Sequence, residues 1–120
     1  MLKKHTICFK HAFDGLVLAF KTQPNYKIHF TLSIVALFLS WFLRISYFEL
    51  LLVIFIIIIG IVMETINTAI EEATDAIDIK IREDLKIAKD TSAAAMLLYS
   101  MGALIIAVII FVPKFINLFF

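Results

Sequence analysis

An unbroken run of 14 apolar residues, at positions 50–63, limits what this chain can fold into more than any other feature. As a helix, the run would measure about 21 Å at 1.5 Å per residue, whereas the hydrocarbon core of a bilayer is about 30 Å thick. The run therefore crosses a membrane only if its helix takes in the residues on either side of it.

Composition supports a membrane location. Apolar residues make up 62 % of the 120 residues, whereas soluble domains usually contain about 45–50 %. A single domain of this length cannot bury so much apolar surface, so the excess must face lipid. Barrel strands would alternate polar and apolar residues over segments of about ten residues, and this chain has continuous runs instead. The sequence predicts an all-α membrane protein.

The chain divides into a surface helix and three spans within one domain, 1–120. At 5–21, apolar side chains recur at helical spacing between charged ones, which predicts an amphipathic helix lying on the membrane surface. Transmembrane helices are predicted at about 26–44, at 46–64 with a polar extension to 78, and at 86–112, where Pro113 and Lys114 close the last helix.

The distribution of basic residues predicts the orientation. Only Arg44 and Lys114 fall on one predicted side of the membrane, and the other basic residues fall opposite. Basic residues favour the cytoplasmic side, so the N-terminus and the polar segment 64–90 are expected there. The residues on that side are Lys3, Lys4, Lys10, Lys21, Lys27, Lys80, Arg82, Lys86 and Lys89.

Polar residues of the second predicted helix share one stripe. At about 100° per residue, the stripe contains Glu64, Asn67, Glu71, Asp75 and Asp78. Four carboxylates on one face repel one another unless a cation intervenes, and oxygen ligands of this kind suit Mg²⁺. The alternative is a solvated helix face, which is favoured for Glu72, Asp75 and Asp78. Glu64, Asn67 and Glu71 lie near the membrane boundary, where ionisable residues are usually functional.

A second cluster opens the third predicted helix, where Lys86, Lys89 and Asp90 are spaced i, i+3 and i+4. A lysine here could meet a triphosphate as a point charge, or it could be a snorkelling lysine paired with an aspartate. Spacing alone leaves both alternatives open. The chain has no glycine-rich phosphate loop. Its net charge of +1 gives no broad basic field, so no nucleic-acid partner is expected.

A family resemblance rests on these two clusters. The stretch ETINTAIE at 64–71, followed by Asp75, by AKD at 88–90 and by the alanines at 93–94, closely resembles the E-x-x-N-[ST]-A-I-E…D…[AK]-K-D…A-A signature of the prokaryotic diacylglycerol kinase and undecaprenol kinase family. The similarity covers nearly the whole chain. It implies an ATP- and Mg²⁺-dependent lipid kinase, a homotrimer with active sites between protomers on the cytoplasmic side of the bacterial inner membrane.

The resemblance also implies roles for individual residues. Glu64 would be the general base that takes the proton of the lipid hydroxyl, Asn67 would position the reacting groups, and Glu71 would bind Mg²⁺ and thereby ATP. Asn25, with Glu64, would contact the lipid substrate. The remaining residues implied in ATP binding are Lys4, His11, Lys80, Arg82, Lys89 and Asp90. His11 stands where the family commonly has an aromatic phenol.

One position departs from the family pattern. Where the family has a second metal-binding glutamate, this chain has Gln23, within the sequence TQPN at 22–25. A neutral amide carbonyl should hold Mg²⁺ less strongly than a carboxylate does. Either activity depends more on Glu71, or a nearby acid compensates, or the protein is weakened.

The sequence does not decide which lipid is the acceptor, and it leaves one other class of protein as an alternative. The resemblance implies conversion of diacylglycerol to phosphatidic acid, with undecaprenol as the alternative acceptor, and YKIH at 26–29 somewhat resembles the undecaprenol-type relatives. The chain could instead be a non-catalytic membrane protein or an ion-coupled transporter, with Glu64 as its lone protonatable carboxylate. A transporter needs a polar path through both leaflets, and the first and third predicted spans offer no ionisable residue in their interiors, so this class is disfavoured.

Overall fold

A computed structural model describes residues 2–80 and 82–119, with side chains from residue 7 onward. The described chain forms four α-helices and no strand: α1 (Leu2–Thr22), α2 (Pro24–Phe42), α3 (Tyr47–Ile77) and α4 (Glu83–Phe119). The predicted all-α class is confirmed. The helix at the N-terminus is present, and its place on a membrane surface stays a prediction.

Two of the described helices, α3 and α4, are long and apolar enough to cross a membrane. Their 31 and 37 residues correspond to about 46 and 55 Å, more than the roughly 30 Å of hydrocarbon. Large apolar side chains such as Leu98 and Ile109 are exposed on them, as lipid-facing residues would be. The 19-residue α2 is not among the helices that meet this criterion, so the first predicted span, at about 26–44, remains a prediction.

The break between α1 and α2 is narrower than the sequence pattern indicates. Gln23 alone separates the two helices, because α2 begins at Pro24. Proline suits the first turn of a helix, where its missing N–H would have no partner within the helix. Gln23 occupies the N-cap position of α2 without making a side-chain capping bond, so its amide is available for another contact.

A compact turn joins α2 to α3. Arg44 has a left-handed φ of 48°; its N–H donates to the carbonyl of Trp41, and the N–H of Ile45 donates to that of Ser40. This pair of bonds is a Schellman motif, which satisfies the last carbonyls of α2. Ser46 and Glu49 then form a capping box that starts α3, worth about 1 kcal/mol.

The helix that contains the third predicted span, 86–112, is longer than that span at both ends. Helix α4 begins at Glu83, where two acidic residues in its first turn favour the N-terminus of a helix. It continues through Pro113 to Phe119, so the prediction that Pro113 and Lys114 close the helix is wrong. Proline removes one backbone donor, and apolar helices that span membranes tolerate this loss. Lys114 instead pairs with Glu49 of α3, with 3.3 Å between Nζ and Oε2.

A glycine lets α4 pack closely on α3. The Tyr99 hydroxyl donates to the carbonyl oxygen of Ile56, 2.7 Å away. To reach it, the ring crosses α3 at the buried Gly60, where an added Cβ would lie 2.2 Å from the Tyr99 hydroxyl oxygen. On the other side of α3, the Tyr26 hydroxyl of α2 is hydrogen-bonded to that of Thr65. These contacts bring α2 and α4 against the start of the polar segment of α3.

Candidate active site

The polar stripe of α3 lines two successive cavities. The cavity nearer the middle of α3, here called the inner cavity, has a volume of about 320 Å³ and lies between α2, α3 and α4. The outer cavity, of about 270 Å³, lies where α3 ends and α4 begins. The inner cavity is lined by Asn25, Ile28, His29, Glu64, Asn67, Glu71, Ala93, Met96, Leu97 and Ser100. The outer cavity is lined by Thr74, Asp75, Asp78, Ile79, Lys80, Arg82, Leu85, Lys86, Lys89 and Asp90.

Glu64 is the most deeply buried large side chain of the described residues, with 2 % of its surface exposed. Burying a carboxylate without a partner is expensive. Among the described residues, the only basic side chain within 4 Å is His29, whose Nε2 lies 3.8 Å from Oε2 of Glu64. A carboxylate kept in such a place, where a neutral residue would cost less, points to a chemical role.

Asn67 is fixed by hydrogen bonds on both sides. The Ser92 hydroxyl of α4 donates to its Oδ1 over 2.7 Å, and its own Nδ2 donates to Oε1 of Glu71 over 3.0 Å. Asn67 and Ser92 are both buried. The bonds set which way the amide faces, and they hold the Glu71 carboxylate at the wall of the inner cavity.

The outer cavity contains charged side chains that are already paired. Lys89 forms an ion pair with Asp75, and Arg82 donates two hydrogen bonds to Asp84, 2.7 and 3.2 Å long. The Arg82 guanidinium lowers the pKa of the Asp84 carboxyl below its ordinary value. The lining includes four basic and three acidic side chains, so the cavity can bind an anion whose phosphates displace these carboxylates.

The two metal candidates, Glu71 and Gln23, do not line the same cavity. Glu71 lines the inner cavity, whereas Gln23 lines neither cavity and donates to Oε1 of Glu72 over 3.5 Å. No group of three His, Cys, Asp or Glu side chains within 7–80 and 82–119 could hold a metal ion. Mg²⁺ bound with a nucleotide usually needs only one or two protein carboxylates, since phosphates and waters complete its shell. Glu71 fits that mode as the single carboxylate.

The other predicted site residues are placed as follows. Asn25 lines the inner cavity beside Glu64, and Lys80, Arg82, Lys89 and Asp90 line the outer one. His11 is exposed on α1 and belongs to the lining of neither cavity. The side chain of Lys4 lies outside the described residues.

Two polar residues, Ser92 and His29, contact the stripe of α3 without having been predicted as site residues. Ser92 follows Lys89 by three residues and so shares its helix face, a spacing that could have singled it out. His29 lies on α2 while its neighbour Glu64 lies on α3. No spacing rule within one helix reveals a contact between helices.

Comparison with known proteins defines the class. Residues 10–111 match the model of the family described as prokaryotic diacylglycerol kinase. The chain belongs to this family and is a lipid kinase, which confirms the predicted family and enzyme class over the non-catalytic and transporter alternatives.

The chain is also similar to two individual kinases. The chain is 33 % identical to the undecaprenol kinase of Bacillus subtilis over 107 residues, which are 88 % of this chain and 86 % of the relative. It is 27 % identical to the diacylglycerol kinase of Synechocystis sp. over 113 residues, which are 93 % of this chain and 65 % of that relative. The chain thus spans slightly less than two thirds of the second relative.

Proposed function

We propose that this lipid kinase transfers the γ-phosphoryl group of ATP to the hydroxyl of a lipid that stays in the membrane. The observation that carries the proposal is the buried Glu64 at the inner cavity. The outer cavity, further along α3, is lined by Lys89 and Arg82. A base beside the lipid and cations beside the cytoplasm are the parts that such a transfer needs.

The inner cavity is the proposed place of the chemical step. The lipid hydroxyl enters it from the membrane, with Asn25 at the cavity wall. Glu64 takes the hydroxyl proton as the bond from oxygen to the γ-phosphorus forms and the bond to ADP breaks. Asn67, held by Ser92 and Glu71, keeps the reacting groups in line.

The outer cavity is the proposed place of the nucleotide. Lys89 and Arg82 exchange their carboxylate partners for phosphate oxygens, and Lys80 adds a further charge. Exposed ion pairs contribute only about 0–1 kcal/mol, so this exchange costs little. Asp90 lines the same cavity and accepts hydrogen bonds from the nucleoside. Lys4 and His11 remain predicted contacts that nothing in the described geometry supports.

Mg²⁺ is the proposed cofactor, and Glu71 is the residue that would hold it. When bound with ATP, the ion supplies positive charge to the phosphates. Gln23 is neutral and contacts Glu72 rather than Glu71, so Glu72 is the acid that could compensate for the missing family glutamate.

Undecaprenol is the proposed acceptor, because of the two named relatives the undecaprenol kinase is more similar and is covered over more of its length. Diacylglycerol, which would give phosphatidic acid, is the second candidate; the family name and the second relative support it.

We also propose that the chain works as a homotrimer in the bacterial inner membrane, with its N-terminus and both cavities on the cytoplasmic side. The excess of basic residues on that side supports the orientation. Chemical crosslinking in membranes measures the assembly; a crosslinked species no larger than a dimer contradicts a trimer.

A transfer assay tests the proposed function. Purified protein in mixed micelles receives radiolabelled ATP with undecaprenol, with diacylglycerol or with neither lipid. The expected result is Mg²⁺-dependent label in undecaprenyl phosphate, lost on adding a chelator. Label chiefly in phosphatidic acid reverses the choice of acceptor, and no label in either lipid contradicts the proposal. Gln23→Glu, assayed alongside, should lower the Mg²⁺ concentration needed for half-maximal rate.

A further inference from the structure

His29 lines the inner cavity together with the buried Glu64. Its Nε2 is 3.8 Å from Oε2 of Glu64, and its side chain is 20 % exposed where that of Glu64 is 3 % exposed. A tilted contact with the Tyr99 ring, at 6.2 Å between centroids, keeps the imidazole in this place. The histidine is thus the more accessible member of a pair of groups that can each carry a proton.

Because Glu64 is buried, a catalytic cycle that protonates it also needs a route by which the proton leaves. A carboxylate that takes one proton from each lipid must lose that proton before the next turnover. Glu64 has almost no contact with solvent, and bound lipid and nucleotide would cover what remains. Among the described residues, no lysine, arginine or other histidine comes within 4 Å of its carboxylate. A proton that leaves Glu64 through a basic side chain of the described residues therefore leaves through His29.

We propose that His29 is a positioning and relay residue that takes the proton from Glu64 and releases it to water. This inference rests on the proposed function. The lipid O–H bond breaks, its oxygen bonds to phosphorus, and ADP departs. The proton passes to Oε2 of Glu64, then to Nε2 of a neutral His29, and finally from the imidazolium to water. No further reactant is needed.

The 3.8 Å separation is compatible with this relay. It exceeds a hydrogen bond by less than 1 Å, and either a small rotation of the imidazole or one bridging water closes the gap. Hydrogen bonds of catalytic groups are commonly long before the substrate binds.

Of the described titratable groups around His29, Glu64 is the one placed to exchange a proton with it. The titratable groups of α3 that line the same cavity are Glu64 and Glu71, and only Glu64 lies within 4 Å. On α4, Tyr99 commits its hydroxyl to the carbonyl of Ile56. None of the α1 residues from position 7 onward lines the cavity, and on α2 itself Lys27 is exposed to solvent.

The test compares the dependence of kcat on pH in wild type and His29→Gln, which keeps a hydrogen-bonding group and cannot relay a proton. His29 must be neutral to accept the proton. The wild-type kcat should therefore fall once the pH is low enough to protonate the imidazole. In His29→Gln, kcat should be lower by about tenfold or more, the acid decline should disappear, and KM for both substrates should stay unchanged.

Added imidazole gives a second readout that a merely structural role would not move. In His29→Ala, free imidazole should restore part of kcat, and more so at a pH where imidazole is neutral. Thr31→Ala is the matched control, because Thr31 is exposed on the same helix and its hydroxyl bonds only to its own helix. This variant should keep the wild-type rate and pH profile.

Three results would overturn the relay. One is a kcat within twofold of wild type in His29→Gln, and another is an acid decline that survives in it. The third is a loss confined to KM or folding, without rescue by imidazole. Glu64→Gln separates this failure from failure of the proposed function: turnover in that variant refutes the base itself. An inactive Glu64→Gln beside a normal His29→Gln refutes only the relay.

Discussion

The inner and outer cavities lie on the same face of α3 and are built in opposite ways. The inner cavity has buried Asn67 and Glu64 in its wall, with the amide locked by hydrogen bonds. In the outer cavity, exposed charges such as Lys89 and Asp75 pair with each other. Buried hydrogen-bonded groups are expensive to rearrange, whereas exposed ion pairs separate at little cost. The inner cavity is suited to holding a reaction geometry, and the outer one to exchanging a charged ligand with water.

This contrast gives a rule that experiments can break. Substitutions at the inner cavity, apart from the metal candidate Glu71, should lower kcat and leave the affinity for ATP nearly unchanged. Substitutions at the outer cavity should raise KM for ATP and make smaller changes in kcat.

The largest effect is expected for Glu64→Gln. The amide is nearly the same size as the carboxylate and cannot accept the hydroxyl proton, so kcat should fall about 10³-fold. Label transfer to lipid under saturating ATP measures it. The control is Glu83→Gln, the same change at an exposed residue of α4 outside both cavities, which should keep the wild-type kcat.

Ser92→Ala should come next. It removes the donor to Oδ1 of Asn67 and leaves a buried amide oxygen unpaired, at a cost of about 1–3 kcal/mol. If Asn67 then turns away, kcat should fall about tenfold or more while KM for ATP stays constant. Ser40→Ala is the control, because that buried hydroxyl bonds only to a carbonyl of its own helix. Equal rates in the two variants would show that the orientation of Asn67 is unimportant.

Gly60→Ala tests the packing that supports the inner cavity. The added Cβ would force Tyr99 away from Ile56 and from His29, and overpacking of this kind typically costs about 1–3 kcal/mol. Thermal unfolding in detergent should show the loss. Gly102→Ala, on the neighbouring α4, meets no atom within 4 Å and should unfold like wild type. A similar shift in both variants would contradict the close contact.

Lys89→Met probes the outer cavity. It removes a cation that the nucleotide is proposed to use, and KM for ATP should rise about tenfold, since a hydrogen bond to a charged group contributes about 1.5–3 kcal/mol and the pair with Asp75 offsets part of it. Added salt should raise KM of the wild type more than that of the variant. A fall in kcat at unchanged KM would place Lys89 in the chemical step instead.

Asp84→Asn should have the smallest effect and the opposite sign. The carboxylate engages Arg82, and its lowered pKa keeps it charged at neutral pH. Without it, Arg82 is free for phosphate, so KM for ATP should fall by about twofold, in keeping with the small strength of exposed pairs. Titration with ATP at low salt measures it. A rise in KM would show that Asp84 orients Arg82 for the nucleotide rather than competing for it.

The sequence correctly predicted features that arise within a single helix, such as the length of α3 and the residues that share one of its faces. The 14-residue apolar run and its polar extension correctly indicated a long helix in this region. The 100° spacing placed Glu64, Asn67, Glu71, Asp75 and Asp78 on one face, and all five line the two cavities.

The sequence could not predict contacts between side chains of different helices, nor whether a helix would continue through a proline. The contacts of Ser92 with Asn67 and of His29 with Glu64 require the rotation of one helix about its axis relative to another, which no periodicity specifies. Pro113 predicts a helix end because a proline lacks the backbone N–H donor, yet α4 continues through it. The sequence left open which nearby acid could compensate for Gln23, and in the structure Gln23 donates to Glu72.

The central claim is that catalysis takes place in the inner cavity and nucleotide binding in the outer one. Equilibrium binding of ATP, with Mg²⁺, to Glu64→Gln and Lys89→Met tests it most directly. The dissociation constant of Glu64→Gln should equal that of the wild type although its transfer activity is lost, and that of Lys89→Met should be about tenfold weaker. Weakened ATP binding by Glu64→Gln together with normal binding by Lys89→Met would contradict the assignment of catalysis to one cavity and of the nucleotide to the other.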